Sequence, residues 1–177
     1  MRKKISYFLA LLLLSVMMTG CGNSDGGGNR NTPSETAPVE ETNANGMKNE
    51  EIDIYTINET SLELEDIKAA VSYEGELTPQ IVVDAVTDSF LEHGIEIGID
   101  HVETEGDMVI VSFTGEDKNK APVCNAGTGV EGVILDAVSQ SLLDNIDSCK
   151  EVVFRIEDKA YESGTFAFDY DQAYKWK

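Results

Sequence analysis

The residue with the clearest chemistry is Cys21, the last of the stretch Met18-Thr19-Gly20-Cys21. Small residues directly before a cysteine are what a lipoprotein signal peptidase accepts. Cleavage there makes Cys21 the first residue of the mature chain, with its thiol acylated. The residues ahead of it fit that chemistry: Arg2, Lys3 and Lys4 form a positive start, and Ile5 to Met18 an apolar run of 14 residues. A bilayer-spanning helix needs about 20 apolar residues, so the run reads as a cleaved signal at 1–20. Cys21 is the predicted lipidation site.

Other groups capable of chemistry are thinly supplied. The chain has two histidines. His93 precedes Gly94 at an expected helix end, where a cationic or hydrogen-bonding side chain answers the dipole. His101 falls in or near an expected hairpin strand. Pairing it with Cys124, with Asn125 nearby, would make a nucleophile site, but no motif or spacing supports that pairing. No serine stands in a nucleophile elbow. Glu103, Glu105 and Asp107 cluster as any stretch of so acidic a chain would, and read as a solvated turn. Asp100 to Asp107, and Asp169 with Asp171, offer oxygen ligands without the glycine and terminal glutamate of a calcium loop. No catalytic, cofactor-binding or metal-binding residue is therefore assigned.

Cys124 and Cys149 flank a predicted helix about 28 Å long. The short connections at its two ends, fully extended, would cover at most about 24 Å. An intrachain disulfide is therefore not expected; free thiols are, with an intermolecular bridge left open.

Charge narrows the partners. Residues 1–20 contain three of the 13 basic residues and none of the 33 acidic ones, so the mature chain carries a net charge of −23. Of this, −20 belongs to residues 51–177, which hold 8 basic and 28 acidic side chains. Such a field repels nucleic-acid phosphates and anionic headgroups. Nucleic acid is excluded as a partner, attachment to the membrane is left to the acyl chains on Cys21, and self-association is expected to be weak at most.

The elements follow from periodicity. Residues 22–50, with Gly26-Gly27-Gly28, Thr32-Pro33-Ser34 and Asn43-Ala44-Asn45-Gly46, have no apolar period and read, with Cys21, as a disordered tether over 21–50. Residues 51–177 suit one domain. Ile52, Ile54 and Ile57 open a first strand, and Leu62 to Tyr73 form a weaker second one. Thr78 caps a helix with Pro79 at its first position; Ile81, Val82, Val83, Ala85, Val86, Phe90 and Leu91 recur at helical spacing, and His93-Gly94 ends it. Ile95, Ile97 and Ile99 alternate into a hairpin that turns at Glu105-Gly106-Asp107 and returns over Met108 to Thr114. Residues 115–127 read as a loop. Thr128 and Glu131 have capping-box spacing ahead of a helix with Val133, Ile134, Ala137 and Val138 on its core face. Glu131, Asp136, Gln140 and Asp144 are placed in water, which makes Glu131, Gln140 and Asp144 a candidate contact surface. Val152 to Ile156 and Gly164 to Tyr170 supply two last strands. The order β-β-α-β-β-α-β-β predicts an α/β (α+β) fold, a mixed sheet packed by two main helices on one face.

The strand Gly106 to Thr114, the helix carrying Glu131, Ile134, Val138 and Ser141-Leu142, and the strand Val152-Val153-Phe154-Arg155-Ile156-Glu157-Asp158-Lys159 together resemble the GerMN domain of bacterial lipoproteins linked to sporulation and spore germination. The resemblance covers roughly Ile52 to Asp169. It implies a small module similar to ring-building motifs, acting in envelope assembly rather than catalysis. The expectation is a lipid-anchored protein on the outer face of the cytoplasmic membrane, binding an envelope protein or peptidoglycan without a cofactor. The alternative is a small wall hydrolase or metal-dependent enzyme using carboxylates near the 95–114 hairpin.

Overall fold

The computed structural model describes residues 41–42, 46–115 and 119–175. The expected signal peptide over 1–20, the expected lipidation site Cys21 and residues 22–40 and 43–45 of the expected tether lie outside the described residues. The α+β expectation holds, with the strands divided between two sheets rather than gathered in one.

The first sheet contains β1 (Glu41–Thr42), β2 (Met47–Ile57) and β3 (Leu64–Glu74) in that order, all antiparallel. Pairing starts at Met47, opposite Glu74, so the last four residues of the stretch read as tether belong to a strand. Ile52, Ile54 and Thr56 alternate toward the core, as do Val71 and Tyr73 of β3, and Ile57 is buried out of that phase at the strand's end, while Glu65, Lys68 and Ala70 stay exposed.

Helix α1 (Pro79–Glu92) starts as the sequence indicates. Thr78 is the N-cap, its hydroxyl accepting from Ile81 N–H, and Pro79 occupies the first turn. His93 is the C-cap, and Gly94 takes the left-handed conformation (φ +74°) that ends the helix. The buried stripe is Val82, Val83, Val86, Ser89 and Phe90. Leu91, expected on the apolar face, is exposed, and Ser89 takes an inward place by donating to the buried Thr56 hydroxyl.

The second sheet has the order β4 (Ile99–Glu105), β5 (Met108–Phe113), β6 (Glu151–Ile156), β7 (Lys159–Ala160). It is mixed: β5 and β6 run parallel, the other pairs antiparallel. The hairpin turns at Gly106-Asp107 as predicted. Its first strand starts only at Ile99, because Gly98 (φ +72°) breaks the extended run after the buried Ile97. The segment read as a loop over 115–127 contains a short helix, α2 (Pro122–Asn125), built on Pro122 and burying Val123.

Helix α3 (Thr128–Asn145) corrects the expected capping box. Its N-cap is Gly127, no side chain caps it, and Thr128 is already helical, so Glu131 lands one position too deep to reach back. The helix is buried on more than one side: Ile134, Leu135, Ala137, Val138, Ser139, Ser141 and Leu142 are all inside. It packs against α1, β2, β3 and β6. Along β2, beyond the two residues paired with β1, it covers the side of the strand that faces away from β3. Tyr55 N–H donates to Ser141 Oγ (2.9 Å), and Asn145 Nδ2 donates to the Asp53 carbonyl (2.6 Å). The part of β2 covered this way cannot pair elsewhere.

The expected last strand over Gly164 to Tyr170 is not a strand. Ser163 Oγ accepts from the backbone of Thr165 and Phe166, which turns the chain, and only isolated bridges, Glu162 with Ala167 and Val153 with Ala173, remain. The aromatic side chains there instead close one end of the core, Tyr161, Phe168 and Tyr174 meeting edge-on or tilted. No helix among the described residues is long and apolar enough to cross a membrane.

Candidate functional site

Three groups of side chains are arranged tightly enough to consider, and the first centres on His101. On β4 it pairs with Ser112 of β5, so it lies on the face opposite Val109, Val111 and Phe113, which line the core. The turn between β6 and β7 brings a second carboxylate to it. Glu157 and Asp158 both adopt left-handed φ values, 49° and 57°, as a two-residue hairpin turn demands. The turn is fastened to the end of β5: Glu157 N–H donates to the Phe113 carbonyl, Asp158 N–H to Ser112 Oγ, and Glu157 Oε1 accepts from Gly115 N–H.

As a result Asp158 Oδ1 stands 3.2 Å from His101 Nε2, while Asp100 Oδ2 is 2.9 Å from Nδ1 and Glu103 Oε1 is 3.9 Å from Nε2. The hydrogen bond to Asp100 chiefly raises the imidazole pKa above its ordinary value; burial opposes this, and the charges of Asp158, Asp100 and Glu103 add to the rise. Asp100, His101 and Asp158 place one ligand atom each within 4.8 Å of one another. A divalent cation on Nε2 could be held by His101 and Asp158, with Asp100 behind Nδ1 orienting the ring. The cluster equally forms an ion-pair knot in which protonated His101 ties β4 to the β6–β7 turn. The imidazole then acts as neither base nor ligand until it loses a proton.

The second group is buried. Tyr161 donates its hydroxyl to Glu131 Oε1 at 2.8 Å, and Cys124 Sγ lies 4.0 Å from the same hydroxyl. Glu131 and Tyr161 are essentially inaccessible. Glu131 belongs to the first turn of α3, where the helix dipole favours a negative group. Burial chiefly raises the Tyr161 pKa far above its ordinary value, with the Glu131 hydrogen bond adding to it, and burial likewise raises that of Cys124. A thiol pushed up in pKa is a poor nucleophile at neutral pH. The pair considered from sequence is thus not assembled: Cys124 faces Tyr161, and both nitrogens of His101 face carboxylates. Asn125 turns back to donate to the carbonyls of Asn119 and Ala121. Cys149, the other free thiol, donates to the Glu151 carbonyl.

The burial of Glu131 also removes it from the contact surface expected at Glu131, Gln140 and Asp144. Asp136 and Gln140 are only half-exposed, Asp136 accepting from the Tyr174 hydroxyl, and Asp144 accepts from Tyr55 and Gln140. Of the suggested calcium ligands, Asp100 joins the His101 cluster, whereas Asp171 pairs with Arg155 at 2.9 Å. Arg155 is buried beneath the Tyr170 ring, 3.7 Å from its centroid. The sequence held no cue for Arg155, Tyr161 or Asp158. A glycine in the β6–β7 turn would have announced it.

The third arrangement is a cleft of about 290 Å³ between α1 and β3, floored by Ile54, Ile67 and Ala69 and walled by Ala85, Asp88 and Glu92. It runs beside the outer edge of β3, which among the described residues pairs with β2 alone.

Comparison of the chain with protein-family models, with curated proteins and with solved structures finds no match.

Proposed function

We propose that this chain is a lipid-anchored extracytoplasmic protein whose folded part is a non-enzymatic module for binding an envelope protein or peptidoglycan. The observation that carries the reading is Cys21 preceded by small residues, an apolar run and a basic start. The GerMN-like succession of elements, with its association with sporulation and germination, supports it. So does the state of the groups that could act chemically: the most accessible imidazole is held between carboxylates, and the Cys124 thiol is raised in pKa by burial. The test is metabolic labelling with a fatty acid. The wild-type chain takes up label and fractionates with membranes, whereas Cys21→Ala takes up none and remains a precursor or is released. Equal labelling of the two refutes the anchor.

A second reading, a metal-dependent enzyme acting on wall polymer, is favoured by one observation, the convergence of Asp100, His101 and Asp158 at the hairpin where carboxylates were expected to cluster. Titration calorimetry with zinc and manganese decides it. Binding in the micromolar range that His101→Gln abolishes supports this reading. Absence of such binding leaves the ion-pair knot.

A further inference from the structure

We propose that the outer edge of β3 is a docking site for an extended basic segment of a partner protein, which joins the first sheet as an added strand. This rests on the binding-module reading above and names the surface and the kind of partner.

Three observations converge. The edge is long and regular: β3 pairs with β2 over 11 residues with no register shift, and it has no proline. Long edges are usually blunted by bulges, prolines, charged side chains or a covering element; this one carries charges alone, Glu65, Asp66 and Lys68 among them, which leave pairing open to a strand of complementary charge. On the other side of the sheet, the part of β2 beyond β1 is covered by α3.

The orientation of its peptide groups follows from β2. Tyr55 N–H and the Asp53 carbonyl point to α3, away from β3. Their partners across the ladder, Asp66 and Lys68, must also turn their peptide groups outward, because directly opposed residues in an antiparallel pair either both bond inward or both point away. Alternation extends this to Ala70 and Ser72. Four consecutive outward positions offer donors and acceptors to an incoming strand.

The cleft beside this edge supplies the side-chain recognition that strand addition needs. A strand paired with β3 directs every second side chain toward the cleft, which is apolar at Ile67 and Ala69 and carries two carboxylates, Asp88 and Glu92, against one cation, Lys68. Glu65 and Asp66 lie exposed along the strand, and the one lysine there, Lys68, is paired with Asp53. A second copy of this chain would bring its own carboxylates against these in a domain of net charge −20. An incoming segment alternating small apolar with basic residues matches both the floor and the charge.

The probe is an eight-residue peptide alternating valine and lysine, added to the full chain in detergent and followed by hydrogen exchange and fluorescence anisotropy. Expected are at least tenfold slower exchange over residues 64–74 and at least tenfold weaker binding by Ala70→Pro, which removes only an outward N–H and so leaves the β2 ladder intact. The double variant Asp88→Asn/Glu92→Gln, both on the cleft wall, should weaken binding severalfold and keeps the test available if the proline variant does not fold. A version of the peptide with glutamate for lysine should not bind. The proposal is overturned if the peptide binds without slowing exchange in β3, if it binds both variants as tightly as wild type, or if sedimentation shows the edge taken by a second copy. Fatty-acid labelling of the same variants separates the two readings. Labelling that persists while β3 fails to bind leaves the anchored protein and removes this docking site, whereas lost labelling with intact peptide binding does the reverse.

Discussion

Replacing Tyr161 by phenylalanine removes one oxygen atom from the inside of the domain and nothing from its surface. The ring stays packed against Phe113 and Phe168, so no cavity opens beyond the hydroxyl. What changes is Glu131, whose carboxylate loses the 2.8 Å donor in a place with almost no access to water. A hydrogen bond to a charged group contributes about 1.5–3 kcal/mol, and stranding the buried partner costs more than the bond itself contributes. Tyr161→Phe should therefore destabilise the domain by about 2–4 kcal/mol, a large part of the stability of a domain this size. Glu131→Met keeps the volume and leaves only a neutral hydroxyl behind, so about 1–2 kcal/mol is expected. The double variant has neither polar group to satisfy and should be less destabilised than the sum of the singles by at least about 1.5 kcal/mol. Urea unfolding of the soluble chain, followed by circular dichroism, measures all four corners of the cycle. A loss below about 0.5 kcal/mol for Tyr161→Phe, or strictly additive singles, would mean that water reaches Glu131 and that the buried pair has been misread.

His101→Gln tests the ion-pair knot through pH. Its folded pKa is raised, chiefly by Asp100, so its contribution is fully present below the unfolded value of about 6.5 and is lost as pH rises through the raised value. The stability gap between wild type and variant should be widest below about pH 6.5 and close as pH rises through the raised folded value; a gap that widens with pH contradicts the arrangement. Gly98→Ala should cost at least about 2 kcal/mol in urea unfolding, because its Cβ would meet Thr114 Oγ1 at 2.6 Å and Pro122 Cγ at 2.9 Å from a backbone at φ +72°; a variant as stable as wild type would show that Pro122 gives way freely. In sedimentation the soluble domain, at net charge −20, should be monomeric at low salt and associate at most weakly once salt screens it. A tight dimer that dissociates as salt rises would reveal complementary charged patches.

What the sequence revealed best were features encoded locally. Thr78-Pro79 and His93-Gly94 mark both ends of α1 because a cap and a left-handed glycine act within one turn of chain. The β4–β5 hairpin could be read for the same reason. Glu131 was misplaced because its surroundings are not local: three residues after a threonine it looks like a capping box, and only Tyr161, 30 residues away, makes it an interior group. Asp158 escaped notice because its left-handed turn uses an acidic pair where glycine is usual. The division into two sheets was hidden for a related reason, since α3 lies along β2 beyond β1, where a further strand would otherwise pair, and a helix pattern does not state which edge it will cover.

The seal that α3 places on β2 also has a consequence in time. Tyr55 and Asp53 wait for Ser141 and Asn145, 86 and 92 residues further along the chain. At about 5–20 residues per second, synthesis leaves that edge uncovered for roughly 5–20 s, whereas the β2–β3 hairpin can close in microseconds. For that interval the nascent chain presents a finished hairpin whose β3 edge, and whose β2 edge beyond β1, are bare. A holding chaperone, or the repulsion among its own carboxylates, must keep such hairpins from pairing with one another until the helix arrives.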